Sequence, residues 1–333
     1  MTRARSLTGI DFDDPALEEA VRGGLERVEE RLRETVASAD PFVTEAAQHL
    51  VMAGGKRFRP LLALLSAQFG DPSRPEVVDA AAVLELTHLA TLYHDDVMDE
   101  APVRRGAESA NSRWTNTVAI LTGDYLFARA SDLVADLGPD AVRIQARTFS
   151  RLVTGQIRET AGPFAGADPV EHYLHVVAEK TGSLIATSGH FGALFAGAPT
   201  SVVEILTRYG EVIGVAFQLS DDLLDIASSS GQSGKTPGTD LREGVPTLPV
   251  LYALRSTDPA GERLRSLVGA PLVDDDLHAE ALGLLRSSPA MASAQETLAS
   301  YADEARALLA QLPDIPARAA LQSLADFVVA RTG

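Results

Sequence analysis

Residues 76–99, EVVDAAAVLELTHLATLYHDDVMD, decide the fold, because their apolar residues recur three and four positions apart and predict a long helix. The helix runs directly into an acidic pattern, DDVMD, at residues 95–99. Residues i and i+4 are close neighbours on one helical face, so Asp95 and Asp99 are expected to point the same way. Two such carboxylates repel each other unless a cation joins them.

The same acidic pattern recurs as DDLLD at residues 221–225, again after an apolar run, GVAFQLS. Here Asp221 and Asp225 form the pair on one face. Acidic residues on helices are usually solvated surface, but the apolar flanks and the duplication favour a metal site. Carboxylate oxygens are ligands that Mg²⁺ prefers, and Mg²⁺ completes its shell with water and substrate phosphate. The two faces therefore predict a pocket that holds a diphosphate through several metal ions.

The composition restricts the class of protein. The chain has 333 residues, of which 45% are hydrophobic, enough for a sizeable core. The net charge of −17 argues against nucleic acid as a partner, because nucleic-acid-binding proteins carry basic patches. Cysteine is absent, which excludes disulfides and thiolate metal sites. No segment resembles a signal peptide or the ~20-residue apolar run of a membrane span, so we expect a cytoplasmic protein without a transmembrane segment.

Helical periodicity extends over nearly the whole chain, and patterns typical of strands are scarce. Short breaks rich in Pro and Gly, such as AGGKRFRP at 53–60 and SSSGQSGKTPG at 228–238, separate roughly ten or more helices. None of these breaks is long enough to mark a domain boundary. We therefore predict an all-α, single-domain bundle over 1–333, with a motif-bearing core at about 50–250 and further helices at about 255–333.

Loops next to the acidic helices carry basic residues that the acidic total hides. Lys56 and Arg59 stand beside a glycine pair, where the backbone can approach a phosphate closely. Arg104 and Arg105 follow the first acidic pattern, and Lys235 follows the second. Any one of these cations alone would be interpreted as a solvated loop charge. Together they predict a diphosphate site with metals on one side and cations on the other.

An ordered set of motifs resembles the polyprenyl synthetase family of trans-isoprenyl diphosphate synthases, and most of all its long-chain members. The matching motifs are GGKRFRP at 54–60, HDDVMDEAPVRRG at 94–106, LTGDYLFARA at 121–130, KTGSL at 180–184, FQLSDDLLD at 217–225, GKTPGTD at 234–240 and TLP at 247–249. One departure is Val245, at a position where many members have a lysine. The resemblance implies the isoprenoid synthase fold, with helices around a central deep cavity, and a homodimer.

The resemblance also implies a reaction, the Mg²⁺-dependent head-to-tail condensation of isopentenyl diphosphate with an allylic diphosphate, with about three Mg²⁺ per active site. It assigns the metal to Asp95, Asp99, Asp221 and Asp225, with Asp96 and Asp222 in supporting positions. It assigns isopentenyl diphosphate to Lys56, Arg59, His88 and Arg105. It assigns the allylic diphosphate or its leaving group to Arg104, Lys180, Thr181, Gln218 and Lys235. Among these, Lys180, Thr181 and Gln218 are expected to act in the chemistry with the metal-binding aspartates.

Residues one turn before Asp95 bear on the length of the product. Ala90 and Thr91 are small, whereas short-chain relatives commonly have an aromatic ring there. One helical turn is ~5.4 Å, about the length of an extended isoprene unit, so an open turn admits roughly one more unit. We therefore expect a product of about C30 or longer, of the kind used for a quinone side chain. A bulky residue farther down, such as Phe127, would instead leave a product of about C20.

Alternative functions stay open at this point. A short-chain synthase would make geranylgeranyl or farnesyl diphosphate. A class I terpene cyclase shares the first acidic pattern, but it usually has a different second one and has no use for Lys56 and Arg59. A noncatalytic helical subunit would leave both acidic patterns unexplained. For a long-chain synthase, transient membrane contact during product release is a further expectation.

Overall fold

The structure, a computed structural model, describes residues 12–227, 237–256, 259–268 and 271–331. Within these residues nearly all regular structure is α-helical, which confirms the predicted all-α class. The chain divides into two compact units, and each is described by itself. Unit 1 lies within Met1–Arg151, Ser183–Gly210 and Leu308–Ser323, and unit 2 within Leu152–Gly182, Glu211–Ala307 and Leu324–Gly333. A single domain over 1–333 stays a prediction.

The helices follow one another with short connections. In chain order they are α1 (Pro15–Val36), α2 (Pro41–Met52), α3 (Phe58–Ala67), α4 (Pro75–Met98), α5 (Ala110–Arg113), α6 (Asn116–Asp136), α7 (Pro139–Ala161), α8 (Pro169–Val177), α9 (Ser183–Phe195), α10 (Thr200–Ala227), α11 (Thr239–Glu243), α12 (Leu248–Leu254), α13 (Pro259–Leu267), α14 (Asp275–Ser287), α15 (Pro289–Leu309) and α16 (Pro316–Ala330). A π-helical segment, Ala178–Gly182, joins α8 to α9. No helix in the described part of the chain is long and apolar enough to cross a lipid bilayer.

Among helices whose first cap residue is described, three begin with the same Asp-Pro pair. The aspartate side chain accepts a backbone N–H of the first turn, and the proline takes the first helical position, where no N–H is needed. The pairs are Asp14–Pro15 in α1, Asp40–Pro41 in α2 and Asp168–Pro169 in α8. The sequence therefore fixes where these helices start.

Helix α4 forms the centre of unit 1. It is apolar on nearly every side and packs against α1, α3, α6 and α9. Leu84, Leu86 and Leu89 are at most 1% exposed, and burying each contributes about 1.5–3 kcal/mol. The sequence predicts this helix, and the structure shows that it is buried. The packing holds the C-terminal end of α4, with Asp95, in a fixed place.

In unit 2 the second acidic pattern ends beside an apolar cluster. Ile226, which follows Asp225 directly, is buried with Leu241 of α11 and Val250 of α12. Leu285 of α14 belongs to the same cluster. The end of α10 is therefore anchored by the helices that follow it in the chain.

The loop after α4 contains a small β-hairpin that the sequence did not reveal. Two-residue strands, β1 (Val103–Arg104) and β2 (Ala107–Glu108), pair antiparallel. The two residues between them, Arg105 and Gly106, have φ angles of 54° and 76°. A two-residue hairpin turn with positive φ at both positions matches the twist of the strands. The hairpin gives the two arginines of this loop a defined backbone.

Candidate active site

Asp95 and Asp99 lie on consecutive turns at the end of α4, as the sequence predicts. The N–H of Asp99 donates to the carbonyl oxygen of Asp95 at 2.8 Å, so the helical spacing persists through the last residue of the pattern. The side chain of Asp99 is 54% exposed. A carboxylate in that position remains accessible to a metal ion and its ligands.

Asp96, between them, is buried and paired with Arg104 of the hairpin. The Nε of Arg104 donates to Asp96 Oδ1 at 2.5 Å, while Asp96 Oδ2 is buried without a partner. Burial raises the pKa of this carboxyl, and the guanidinium beside it opposes that rise. An Nη of Arg104 also lies 3.9 Å from Asp99 Oδ2. Arg104 thus connects the acidic pattern to the basic loop.

The glycine pair of GGKRFRP makes room for Arg105. A Cβ on Gly55 would lie 2.7 Å from Cζ of Arg105, and the φ of Gly55 is 133°. Arg105 donates to the carbonyl oxygen of Gly54, and its Nη2 lies 3.6 Å from the buried carboxylate of Glu85. The loop around Lys56 therefore packs directly on the hairpin, which brings two predicted diphosphate-binding segments together within unit 1.

Arg57 differs from the other cations of its loop because it is part of the core. It is 8% exposed and forms ion pairs with Glu29 of α1 and Glu85 of α4, the latter at 2.8 Å. It also donates to the carbonyl oxygen of Val51 at 2.8 Å. These contacts hold the loop in place. Arg57 therefore has a structural role, unlike Lys56 and Arg59, which are assigned to the substrate.

Arg59 and His88 are two groups of this region whose pKa values are lowered by burial. Arg59 is half-buried, and its Nε is buried without a hydrogen-bond partner. Burial lowers the pKa of Arg59 to about 10, and Arg105 adds to the effect while Glu85 opposes it. Burial, and after it the charge of Arg59, holds the pKa of His88 well below its usual range, so this imidazole is neutral. A cationic cluster with an unpartnered donor is suited to a phosphate group.

Asp221 and Asp225 of the second pattern are each held by other groups of unit 2. An Nη of Arg331, near the end of the chain, lies 2.9 Å from Asp221 Oδ1. The carboxylate of Asp225 accepts the backbone N–H groups of Thr239 and Asp240 at 3.1 and 3.2 Å. Groups that hydrogen-bond to a metal-binding carboxylate fix its orientation.

Gln218 and Thr181 contact each other through their side chains. The hydroxyl of Thr181 donates to Gln218 Oε1 at 3.4 Å, and Gln218 Nε2 donates to Asp222 Oδ1 at 2.9 Å. The hydroxyl of Tyr173 donates to the other oxygen of Asp222. Burial raises the pKa of Asp222 to about 7, against the effect of these two donors.

Lys180 lies in the π-helical segment, a rare conformation that is common at functional sites. Its Nζ pairs with Glu159 of α7 at 2.5 Å. Gly155 of α7 allows the close approach, because a Cβ there would lie 2.7 Å from the backbone nitrogen of Lys180. The neighbouring Glu179 is held by Arg158 at 2.6 Å. The position of Lys180 therefore depends on a small residue and two ion pairs.

The positions assigned to chain length differ in burial. Ala90 is 1% exposed, whereas Thr91 is half-buried and donates to the carbonyl oxygen of His88 at 2.8 Å. Phe127 of α6 packs against Phe149 of α7 with ring centroids 4.1 Å apart. These aromatic rings are the bulky alternative that the sequence suggested.

Two remaining predictions concern the segment after α10. Lys235 lies outside the described residues. Val245, where many family members have a lysine, is 37% exposed, and its N–H donates to the carbonyl oxygen of Asp240 at 2.8 Å. No cation therefore stands at position 245 itself.

The donor set fits Mg²⁺. In the described part of the chain no three His, Asp or Glu side chains converge to enclose a metal ion by themselves. Mg²⁺ is usually bound through one or two carboxylates together with water and substrate phosphates, and each acidic pattern supplies such a pair. The buried, unpartnered Oδ2 of Asp96 adds an acceptor at the first pattern.

Sequence reasoning missed several residues that hold the site. Glu85, Tyr173 and Arg331 contact predicted site residues, but they are far from them in the chain. Only Glu85 carried a signal, since a single carboxylate within the apolar run of α4 requires a buried partner.

Comparisons with known proteins support the motif assignment. The profile of the family described as polyprenyl synthetase matches residues 40–285. The chain is 56% identical over 333 residues to the nonaprenyl diphosphate synthase of Mycobacterium tuberculosis, covering 100% of this chain and 99% of that protein. With the resemblance confirmed, the chain belongs to the polyprenyl synthetase family.

Solved structures agree with this assignment. The structure is similar to the geranylgeranyl pyrophosphate synthase of Corynebacterium glutamicum, with a TM-score of 0.88, 48% identity and coverage of 97% of this chain and 100% of that one. It is also similar to a decaprenyl diphosphate synthase of Rhodobacter capsulatus, with a TM-score of 0.86, 35% identity and coverage of 96% and 99%. The chain therefore has the fold of these prenyl diphosphate synthases.

Proposed function

We propose that the protein is a long-chain trans-polyprenyl diphosphate synthase, a prenyltransferase that extends an allylic diphosphate with isopentenyl diphosphate, head to tail. Full-length similarity to a nonaprenyl and a decaprenyl diphosphate synthase supports a long-chain product. Small residues at Ala90 and Thr91 support the same conclusion. We expect a product of about C30 or longer, because one helical turn has about the length of one isoprene unit and small residues leave the turn open.

The observation that carries the proposal is the cationic cluster of unit 1. Arg59 has a buried donor without a partner, next to Arg105 and the neutral His88. The helix that carries His88 ends in Asp95 and Asp99. A group of cations adjoining a pair of carboxylates suits substrates whose diphosphates are bound partly by protein cations and partly through metal.

Isopentenyl diphosphate binds, in this proposal, to the basic loop and the hairpin. Lys56, Arg59 and Arg105 hold its diphosphate through charge-assisted hydrogen bonds. His88, being neutral, contributes a hydrogen bond rather than a charge. Since Arg57 is already engaged with Glu29 and Glu85, it supports the loop and is not assigned to the substrate.

The allylic substrate reacts by loss of its diphosphate. Mg²⁺, held by Asp95, Asp99, Asp221 and Asp225, would supply charge stabilisation to the leaving oxygens. Arg104 and Lys180, with Lys235, bind the departing diphosphate, which leaves with the electron pair of the C–O bond. A geranylgeranyl pyrophosphate synthase and a polyprenyl synthase complexed with calcium and isoprenyl diphosphate support a divalent cation here.

The cation that remains on the allylic carbon is attacked by the double bond of isopentenyl diphosphate. The hydroxyl oxygen of Thr181 and the amide oxygen of Gln218 stabilise it by their dipoles. Loss of a proton from the adduct restores an alkene, and the released diphosphate accepts that proton. The product is an allylic diphosphate again, one isoprene unit longer.

We also propose a homodimer, located in the cytoplasm, with transient membrane contact during release of the apolar product. Exposed apolar side chains on α6 support a partner face, since Ile120 is 43% and Leu121 61% exposed. Size-exclusion chromatography with light scattering would test the dimer.

The decisive experiment is incubation with Mg²⁺, labelled isopentenyl diphosphate and allylic primers of increasing length, followed by sizing of the dephosphorylated products. Long linear polyprenols support the proposal. A cyclised hydrocarbon would indicate a terpene cyclase, and no reaction would indicate a noncatalytic subunit. A product that stops at about C20 would favour a geranylgeranyl diphosphate synthase, for which the 48% identity to the Corynebacterium glutamicum protein and the Phe127–Phe149 pair are specific observations.

A further inference from the structure

A chain of hydrogen bonds in unit 2 connects a predicted substrate contact to a tyrosine with no assigned role. The hydroxyl of Thr181 donates to Gln218, the amide of Gln218 donates to Asp222, and the hydroxyl of Tyr173 donates to Asp222 from the opposite side. Asp222 is 4% exposed. Its two oxygens are therefore satisfied mainly by these two side chains.

This arrangement determines which way the amide of Gln218 points. A glutamine amide presents a donor on one side and an acceptor on the other. Asp222 Oδ1 accepts the NH₂ group of Gln218, so the amide oxygen faces the hydroxyl of Thr181. If the amide were reversed, its oxygen would meet the carboxylate, and a buried acceptor would lose its donor.

Tyr173 contributes the donor that keeps Asp222 in this orientation. It lies on α8, which leads into the π-helical segment with Lys180 and Thr181. Without the phenol, Asp222 Oδ2 would be buried without that donor, and the carboxylate would have reason to rotate away from Gln218.

A neutral donor is well matched to this position. Asp222 stands between Asp221 and Asp225, whose carboxylates are assigned to the metal. An arginine or lysine at the place of Tyr173 would add a second positive charge to this pattern, beside that of Arg331 on Asp221. The phenol fixes the central carboxylate without adding charge. The phenol thus supplies Asp222 with a hydrogen-bond donor and leaves the net charge of the acidic pattern unchanged.

We propose that Tyr173 is a positioning residue for catalysis, which acts through Asp222 to hold the amide oxygen of Gln218 toward the reacting allylic carbon. The catalytic part of this inference rests on the proposed function, because it requires that Gln218 contact the allylic substrate. In this proposal Tyr173 acts only through its hydrogen bond to Asp222, without contact to substrate or metal.

The test compares Tyr173→Phe with a matched control, Tyr252→Phe. Tyr252 is a half-buried tyrosine of the same unit, and its hydroxyl is 2.9 Å from that of Thr297. We expect Tyr173→Phe to lower kcat by about tenfold or more, because a hydrogen bond to a charged group is lost, with the KM for isopentenyl diphosphate unchanged. Tyr252→Phe should leave both parameters as in the wild type.

The decisive readout is the same change made in a Gln218→Ala background. A residue that acts through Gln218 has no further effect once Gln218 is removed, so Tyr173→Phe should then leave kcat unchanged. An equal loss of kcat in both backgrounds, or no loss in either, overturns the proposal. The proposal is also overturned if Tyr252→Phe lowers kcat as much as Tyr173→Phe does, because the loss would then be a general effect of removing a hydroxyl.

Equilibrium unfolding separates this inference from the proposed function. If the wild type extends no allylic diphosphate, the proposed function is wrong. The coupling between Tyr173 and Gln218 can still be measured from the denaturant midpoints of Tyr173→Phe, Gln218→Ala and the double variant. Non-additive midpoint shifts would support the hydrogen-bond chain. Additive shifts would show that Tyr173 does not hold Gln218.

Discussion

Arg331 holds Asp221, the first carboxylate of the second acidic pattern, although 110 residues separate them in the chain. The Nη2 of Arg331 lies 2.9 Å from Asp221 Oδ1, and its Nε donates to the hydroxyl of Ser220 at 2.7 Å. The guanidinium also lies over the ring of Phe217, 4.3 Å from its centroid. Among the described residues Arg331 engages only Oδ1 of Asp221, which leaves Oδ2 to a metal ion.

We predict that Arg331→Ala raises the Mg²⁺ concentration required for half-maximal activity by about 10–100-fold, the usual effect of removing a residue that hydrogen-bonds to a metal ligand. The measurement that does not depend on turnover is the increase in Tm produced by Mg²⁺ with inorganic diphosphate, which should shrink in the variant. Arg306→Ala is the matched control, because Arg306 also pairs with an aspartate, Asp326, but on an exposed surface. An unchanged Mg²⁺ requirement in Arg331→Ala would show that the contact is structural only.

Replacing a carboxylate of the first acidic pattern should remove activity without unfolding the protein. Asp95→Asn or Asp99→Asn removes a metal ligand and relieves repulsion between neighbouring carboxylates, so turnover should nearly vanish while Tm stays close to that of the wild type. Both kcat and Tm are measured with excess Mg²⁺. Near-normal kcat in either variant would exclude that residue as a metal ligand.

The two arginines of the GGKRFRP loop should behave in opposite ways. Arg57→Ala leaves the buried carboxylate of Glu85 short of a cation, and breaking a buried ion pair costs about 3–5 kcal/mol of unfolding free energy. Arg59→Ala removes a half-buried charge whose Nε has no partner, so Tm should change little. The affinity for isopentenyl diphosphate should instead fall by at least about tenfold.

Titration calorimetry and thermal unfolding of both variants separate these roles. Lys56→Ala should resemble Arg59→Ala, with a larger loss for isopentenyl diphosphate than for the allylic primer. Equal losses for the two substrates would mean that the loop does not select between them. A stable Arg57→Ala protein would contradict the core role of Arg57.

The neutral state of His88 predicts a difference in stability with pH. Burial and the charge of Arg59 hold its pKa below the ordinary value of 6.5 in the folded state. The unfolded chain therefore binds a proton that the folded chain does not, and the contribution of His88 to stability is lost as pH falls below about 6.5. His88→Gln removes this contribution. Denaturant unfolding from about pH 7.5 to about pH 5.5 should show the wild type losing more stability than the variant, whereas parallel curves would contradict a neutral His88.

Local patterns predicted much of this architecture. The apolar spacing in α4 and the i, i+4 aspartates are local, and the structure has both as predicted. The glycine pair before Lys56 indicated close backbone approach, although the group that approaches Gly55 in the structure is Arg105. What the sequence could not show is which distant residues complete each site. Tyr173 and Arg331 reach Asp222 and Asp221 only because the fold brings separate helices together.

Arg57 illustrates the same limit. In the sequence it is one of three similar loop cations, and only its ion pairs with Glu29 and the buried Glu85 reveal a structural role. The positive φ of Arg57, 46°, is equally invisible to a helical pattern. Charge in a loop therefore predicted the region of the diphosphate site, but tertiary contacts were needed to divide its cations between substrate and core.

Product length can be tested at the turn of α4 that precedes the first acidic pattern. Thr91 is half-buried, so Thr91→Phe should be accommodated and should shorten the product to about C15–C20, because a ring there closes the turn that an extra isoprene unit would occupy. Ala90 is 1% exposed, so Ala90→Phe should also lower Tm, since overpacking a core typically costs about 1–3 kcal/mol.

The converse variant, Phe127→Ala, distinguishes the two possible floors. If Ala90 and Thr91 leave the path open and Phe127 does not limit growth, Phe127→Ala should leave the product length unchanged. Products are sized after dephosphorylation, with isopentenyl diphosphate in excess so that substrate supply does not limit elongation. A wild-type product of about C20 that lengthens in Phe127→Ala would show that the ring packed on Phe149 is the floor, and the long-chain assignment would then be wrong.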